Sequence, residues 1–244
     1  MEDKSKETLN VDINRMISLL TERPIFIKVW GSWSHNTNIP GSDVDYLGVF
    51  SSPSNRILSL DPPSDIIVKE KPDFQAYEAL KFAQLLVKGN PAVIECLFTE
   101  KFYWGSLEWD YLKSSKQKLL SQKVVEQYLG YAKGQLHRLK NDKSLHTSGG
   151  KYNTKWAYHI IRILDDGLRI AQGGVPVVWK EGEEKEFLKQ IRYGKYSKDE
   201  IYSLAENRIN KIDSLKPWNL PEKADKGILN EWLRLVYFES LNGL

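Results

Sequence analysis

Asp43 and Asp45 stand one valine apart in the stretch GSWSHNTNIPGSDVDYLGVF, about ten residues after the pair Gly31-Ser32. In an extended strand, side chains two apart share a face. This spacing therefore presents two carboxylates together while Val44 turns away. Adjacent anions repel, and a strand that keeps them usually has a cation to hold. A hard divalent ion such as Mg²⁺ binds through one or two carboxylates plus substrate phosphates, and Mn²⁺ would also serve. The small Gly-Ser turn lets backbone come close to a phosphate, so Gly31, Ser32 and Ser42 are candidate nucleotide contacts. Together these residues point to metal-assisted phosphoryl or nucleotidyl transfer. The bland alternative is a polar hairpin whose Gly, Asn and Ser residues only make turns.

Two metal ions clamping the attacking and leaving oxygens normally need a third acid. Downstream candidates are Asp65, Glu70, Asp73 and Glu78. Asp65 sits in a Pro-Ser loop that reads as solvated, and Glu78 reads as a surface acid inside a helix. Pattern alone puts Asp73 only slightly ahead of Glu70.

A second constellation lies at Lys155, His159 and Arg162, spaced i, i+4, i+7 on one helix face. Trp156, Ile160, Ile163 and Leu164 form a separate, buriable stripe. A Lys-His-Arg stripe suits triphosphate oxygens, Arg as a planar fork and Lys as a point charge. By charge alone a solvated face accounts for it equally well. Arg192 and Lys195 in IRYGK either complete the anion site or end a helix. His35 could reach the same phosphate as Ser32 but reads more readily as a solvent-exposed turn histidine, and Cys96 as a core residue in a short apolar helix.

The elements that must position these groups follow from periodicity and breakers. Leu9, Ile13, Met16 and Leu20 mark an amphipathic helix over residues 8–21. Strands are expected at Ile25–Trp30, Val44–Phe50 and Ile66–Lys69. Helical patterns are expected over Gln75–Val87 and, capped by Asn90-Pro91, over Ala92–Phe98. After KFYWGSLEW strand signals almost vanish, and the aromatic residues Phe102, Tyr103, Trp104 and Trp109 read as a hydrophobic seam or, less readily, as base-stacking groups. Helices are expected over Val124–Lys140, Asn153–Ala171, from a capping box at Ser197-Glu200 to about Ile212, and near Leu229–Leu241. Val175–Trp179 reads as one short strand, and residues 146–150 as a polar loop. The expected architecture is an α/β (α+β) catalytic domain at residues 1–105 and a helical domain at 106–244.

The chain has 244 residues, 41% hydrophobic and 27% charged, an ordinary globular balance. No apolar stretch approaches the ~18–20 residues that span a bilayer. The single cysteine excludes an internal disulfide and a cysteine-cluster zinc site. With a polar N-terminus unlike a signal peptide, a cytoplasmic location is expected. Between Lys113 and Lys155 ten Lys/Arg face two acids, Glu126 and Asp142. That segment would attract a polyanion such as RNA, or simply be a solvated helical face.

The stretch GSWSHNTNIPGSDVDYLGVF resembles the signature of the DNA polymerase β nucleotidyltransferase superfamily. More narrowly, SDVDYLGVF, DFQAYEALKFAQLLVKGNPAVIECLF, KWAYHIIRIL and IRYGKYS resemble the predicted nucleotidyltransferases associated with RNA repair pathways (the YcgL-like family). The resemblance implies Asp73 as the third carboxylate, with Lys81 and Asn90-Pro91 following it in register. It implies a polymerase-β-type domain, an NTP substrate, Mg²⁺ or Mn²⁺, and a phosphate or nucleotide role for Lys155, His159 and Arg162. It also implies an RNA end as acceptor. The alternatives are a protein hydroxyl or small-molecule acceptor, and a non-catalytic nucleotide- or RNA-binding module. Trp33, His35 and Asn36 depart from the residues relatives often carry, so substrate preference does not transfer.

Overall fold

The strand β1 (Arg23–Trp30) is buried on both faces from Ile25 to Val29, as its unbroken β-favouring run requires. The computed structural model describes residues 12–141 and 152–242. The start of the expected N-terminal helix and the loop expected at residues 146–150 lie outside the described residues. Helix α1 (residues 12–19) lays Ile13 and Met16 over one face of the sheet, against Ile27, Val29, Phe50 and Phe74. The opposite face packs Phe26, Leu47 and Val49 against the helical elements.

β2 (Asp45–Ser51) pairs antiparallel with β1. β3 (Ile66–Glu70) and β4 (Asp73–Glu78) form an antiparallel pair, and β4 runs parallel to β2. β5 (Tyr103–Gly105) closes the other edge, giving the mixed order β3-β4-β2-β1-β5. Two expectations are corrected here. β2 begins at Asp45, so Asp43 belongs to the irregular chain before the strand. The segment from Asp73 to Glu78 is a strand, because Phe74, Ala76 and Glu78 alternate into the interior. Helix α4 (Ala79–Val87) starts only after it. Glu78 is accordingly a buried cap rather than a surface acid. Its Oε2 accepts from the Leu80 N–H at 2.7 Å and its Oε1 from the Tyr237 hydroxyl at 2.7 Å.

Short helices α2 (Gly31–Ser34), α3 (Ser54–Ile57) and α5 (Pro91–Leu97) interrupt the sheet connections. Asn90 caps α5 as expected, its Oδ1 accepting from the Ala92 N–H at 2.9 Å. The rest is helical: α6 (Leu107–Ser114), a 3₁₀ turn (Lys116–Leu119), α7 (Gln122–Asn141), α8 (Thr154–Ala171), α9 (Gly182–Arg192), α10 (Lys198–Ser214) and α11 (Lys226–Asn242). The capping box at Ser197 and Glu200 is present. None of the described helices is long and apolar enough to cross a membrane.

Val175–Trp179 is no strand. Pro176 removes a ladder donor, and the Val177 N–H is used by Asp166 Oδ1 at 3.1 Å instead. α7 and α8 pack closely where Gly167 faces Tyr128, since a Cβ there would lie 3.2 Å from the Tyr128 Cβ. One continuous core runs from Ile25 in the sheet to Val236 in α11. The aromatic stretch belongs to it through Trp109, which is fully buried and stacks on Phe26 with ring centroids 3.8 Å apart. Trp109→Ala should therefore cost about 3–5 kcal/mol, read as a lowered urea midpoint. A loss below about 1 kcal/mol would show that this stack does not join sheet and helices.

Candidate active site

Asp45, the first residue of β2, sits opposite Trp30, the last residue of β1. The chain then turns sharply into α2 with Gly31 at φ +64°. A Cβ on Gly31 would come within 2.5 Å of Asp45 Oδ2. Glycine is thus required twice, for the left-handed backbone and for the room the carboxylate occupies. The loop beyond is braced from inside. Thr37 N–H donates to Ser32 O at 3.0 Å, Trp33 Nε1 to Ser42 O at 3.2 Å, and Ile39 N–H to Ser42 Oγ at 3.0 Å. These bonds hold Ser42, and with it Asp43, against the Gly31-Ser32 turn.

Gly31, Ser32, Ser42, Asp43 and Asp45 line one side of a cleft of about 580 Å³. Lys155, His159 and Arg162 of α8 and Arg192 at the end of α9 line the other side. Asp73 reaches the neighbourhood through the sheet. The parallel register pairs Tyr46 with Phe74, so Asp45 and Asp73, each one residue earlier, lie side by side. Asp73 is exposed and does not line the cleft. The Asp45 carboxyl is raised above its usual value, chiefly by burial, then by the charge of Asp73, with Lys155 opposing and Asp43 adding. Asp73, Lys155 and Asp43 therefore all act on Asp45 in partly dry space.

Among the described residues no group of three or more His, Cys, Asp or Glu side chains is gathered tightly enough to hold a metal ion by itself. Two cleft carboxylates nevertheless fit a hard divalent cation whose remaining ligands are water and phosphate oxygens. A bound cation would also offset the burial and the neighbouring acids that raise Asp45.

The cationic wall differs from the expectation in three ways. Arg162 is only 5% exposed, and its Nη1 donates to Glu95 Oε1 at 2.6 Å, with Asp166 Oδ2 at 3.8 Å. It is first a buried ion-pair partner. His159 is pushed down to about 3, by burial and then by Arg162, Lys155 and Arg192. It is a neutral imidazole that adds no charge to the stripe. Lys195 is exposed beyond α9 and does not line the cleft. Lys155 and Arg192 remain as the cations facing the carboxylates, Arg192 with its guanidinium 5.5 Å from the Tyr158 ring centre.

His35 is buried rather than exposed. Its Nδ1 lies 3.0 Å from Val178 O and its Nε2 3.5 Å from Glu95 Oε2. Glu95, Asn90, Tyr131 and Tyr158 also line the cleft, and the sequence reading missed them there. Glu95 looked like part of an apolar helix, and a buried acid can be recognised only once its partner is known. Tyr131 carried a fainter signal, an aromatic between Gly130 and Gly134 on the polar side of a helix. Cys96 is buried as expected, its thiol pushed up to about 12 by burial. Lys81, aligned by the resemblance, is bound to Asp65 at 2.7 Å.

The mixed five-stranded sheet with a helical C-terminal part is that of a DNA polymerase beta family domain. Within that class the chain belongs to the RNA repair pathway DNA polymerase beta family (RlaP), whose model matches residues 6–208. The family expected from the sequence is thereby found, without the YcgL-like label. A comparison with curated proteins gave no match.

The raised Asp45 carboxyl carries a stability consequence. A carboxyl whose folded pKa lies above its unfolded 3.8 binds its proton more tightly when folded. Stability is then greatest below 3.8 as far as this group is concerned, and falls as pH rises through the raised value. Above that raised value the cost is present in full. Asp45→Asn should therefore raise Tm at pH 7 without added metal, and abolish the further rise that millimolar Mg²⁺ gives the wild type. An unchanged Mg²⁺ response in the variant would remove Asp45 from cation binding.

Proposed function

We propose that the protein transfers a nucleoside monophosphate from an NTP to an acceptor hydroxyl, with an RNA end as the acceptor, and releases pyrophosphate. A single observation carries this reading. One cleft holds the Gly31-Ser32 turn and the Asp43/Asp45 carboxylates on one wall and Lys155 and Arg192 on the other. That is the distribution of charge a metal-bound triphosphate needs. Membership in an RNA-repair family supports the acceptor class.

Asp43 and Asp45 would hold a divalent cation, Mg²⁺ or Mn²⁺. Such an ion, when bound, neutralises triphosphate charge and lowers the pKa of an acceptor hydroxyl. The Gly31-Ser32 turn would place the phosphates by its backbone N–H groups and the Ser32 hydroxyl. Lys155 and Arg192 would take up charge that spreads onto phosphoryl oxygens. Asp73, beside Asp45 on β4, would serve the acceptor side. In the reaction the acceptor oxygen bonds to the α-phosphorus, the bond from that phosphorus to the bridging oxygen breaks, and pyrophosphate leaves in line. The acceptor proton passes to solvent, since His159 is too weak a base to keep it. The sheet half, residues 1–105, would thus supply the carboxylate wall, and the helical half, 106–244, the cationic one.

Labelled NTPs incubated with separate RNA, protein and small-molecule pools test the acceptor. Label is expected in RNA, at a rate lowered at least about 100-fold in Asp43→Asn and Asp45→Asn, with circular dichroism unchanged. Full incorporation by either folded variant would sink the proposal.

A further inference from the structure

Tyr131 is the feature of the cleft that the charge distribution leaves unused. It stands on α7, lines the cleft, and is 43% exposed. The other cleft tyrosine, Tyr158, is buried, with its hydroxyl 2.6 Å from Thr37 Oγ1. Tyr131 thus offers the one open tyrosine ring among the residues lining the cleft. Its own helix continues outward from it with an unusual surface. Gly130 and Gly134 are both exposed, and a Cβ built on either meets nothing within 4 Å. No packing explains them, although each weakens a helix interior by about 1 kcal/mol relative to alanine. Gly134 and Arg138 follow Tyr131 at i+3 and i+7 on the same face. Arg138 is exposed and makes no ion pair among the described residues.

An open ring, bare backbone beside it and an unpaired cation beyond it match the requirements of single-stranded nucleic acid. Bases stack on aromatic faces in a sequence-tolerant way while cations follow the phosphates. We infer that α7 is the acceptor track: the terminal base of a single strand stacks on Tyr131 in the cleft, and its backbone passes over Gly134 towards Arg138. This rests on the nucleotidyltransferase reading only for the word acceptor, because strand binding itself needs no turnover.

The test is fluorescence anisotropy of the full chain with a labelled single-stranded RNA decamer, beside equilibrium binding of ATP with Mg²⁺. Tyr131→Ala should raise the RNA Kd at least about 5-fold, and Tyr131→Phe should not. Gly134→Ala favours the helix, so it should raise Tm while weakening RNA binding several-fold, opposite to what a purely structural glycine would do. The ATP affinity should stay within twofold in all three. Wild-type RNA binding by Tyr131→Ala or Gly134→Ala would overturn the inference, as would an equal loss of ATP binding, which would assign the ring to the nucleotide. If Asp45→Asn showed full incorporation while these RNA effects held, the catalytic reading alone would fail.

Discussion

The ion pair between Arg162 and Glu95 is the contact on which the cleft depends. Glu95 sits in α5, which packs beneath the sheet, and Arg162 in α8 of the helical half, 67 residues further on. Both are almost wholly buried, at 1% and 5% exposure. The pair lies in a wider set of enclosed charges. Asp166 accepts from Lys180 at 2.9 Å and from Arg169 at 2.7 Å, and His35 faces Glu95 from the α2 turn. Charges so enclosed are tolerated only while their partners stay in place, and removing one side leaves the other uncompensated. The network therefore sets the spacing between the wall that carries Asp43 and Asp45 and the wall that carries Lys155 and Arg192. The hydrophobic seam around Trp109 and Phe26 holds the same two halves together without directional preference.

On this frame the cleft is electrostatically divided. Asp45 is raised by partial burial first, then by Asp73 and Asp43, and Lys155 offsets this only in part. The opposite wall carries fewer free cations than its residue types suggest, since Arg162 is engaged and His159 is neutral. A metal-bound triphosphate would complete both walls at once. The Gly31 backbone, which leaves the Asp45 oxygen its space, ties that completion to the geometry of a single turn.

Much of this was legible in the sequence, for physical reasons that also explain the misses. The Gly31-Ser32 turn and the caps at Asn90 and Ser197 are local patterns, and local backbone preference decides them, whereas the strand-face argument for Asp43 and Asp45 reaches only Asp45, where β2 begins. The carboxylate at Asp73 rested on family resemblance, and the β2–β4 register places it beside Asp45. β4 was read as helix because five of the apolar residues in its segment follow in α4, and β5 has three residues, too few to show a period. His35 was misjudged because polar types are usually at the surface, and the ion pair of Arg162 with Glu95 went unseen because charged partners so far apart in sequence leave no local pattern. Only the fold brings Arg162 and Glu95 together. Glu78 was misread for the same reason, its partner Tyr237 lying at the far end of the chain.

The most direct measurement of the central claim is a crystal structure of the full chain with a non-hydrolysable NTP and Mg²⁺. Metal density is expected between the Asp43 and Asp45 carboxylates and the triphosphate, with Lys155 and Arg192 on phosphate oxygens and Arg162 still on Glu95. A nucleotide bound elsewhere, such as in the broad depression between α8 and α10 lined by Asp165 and Arg208, would contradict it.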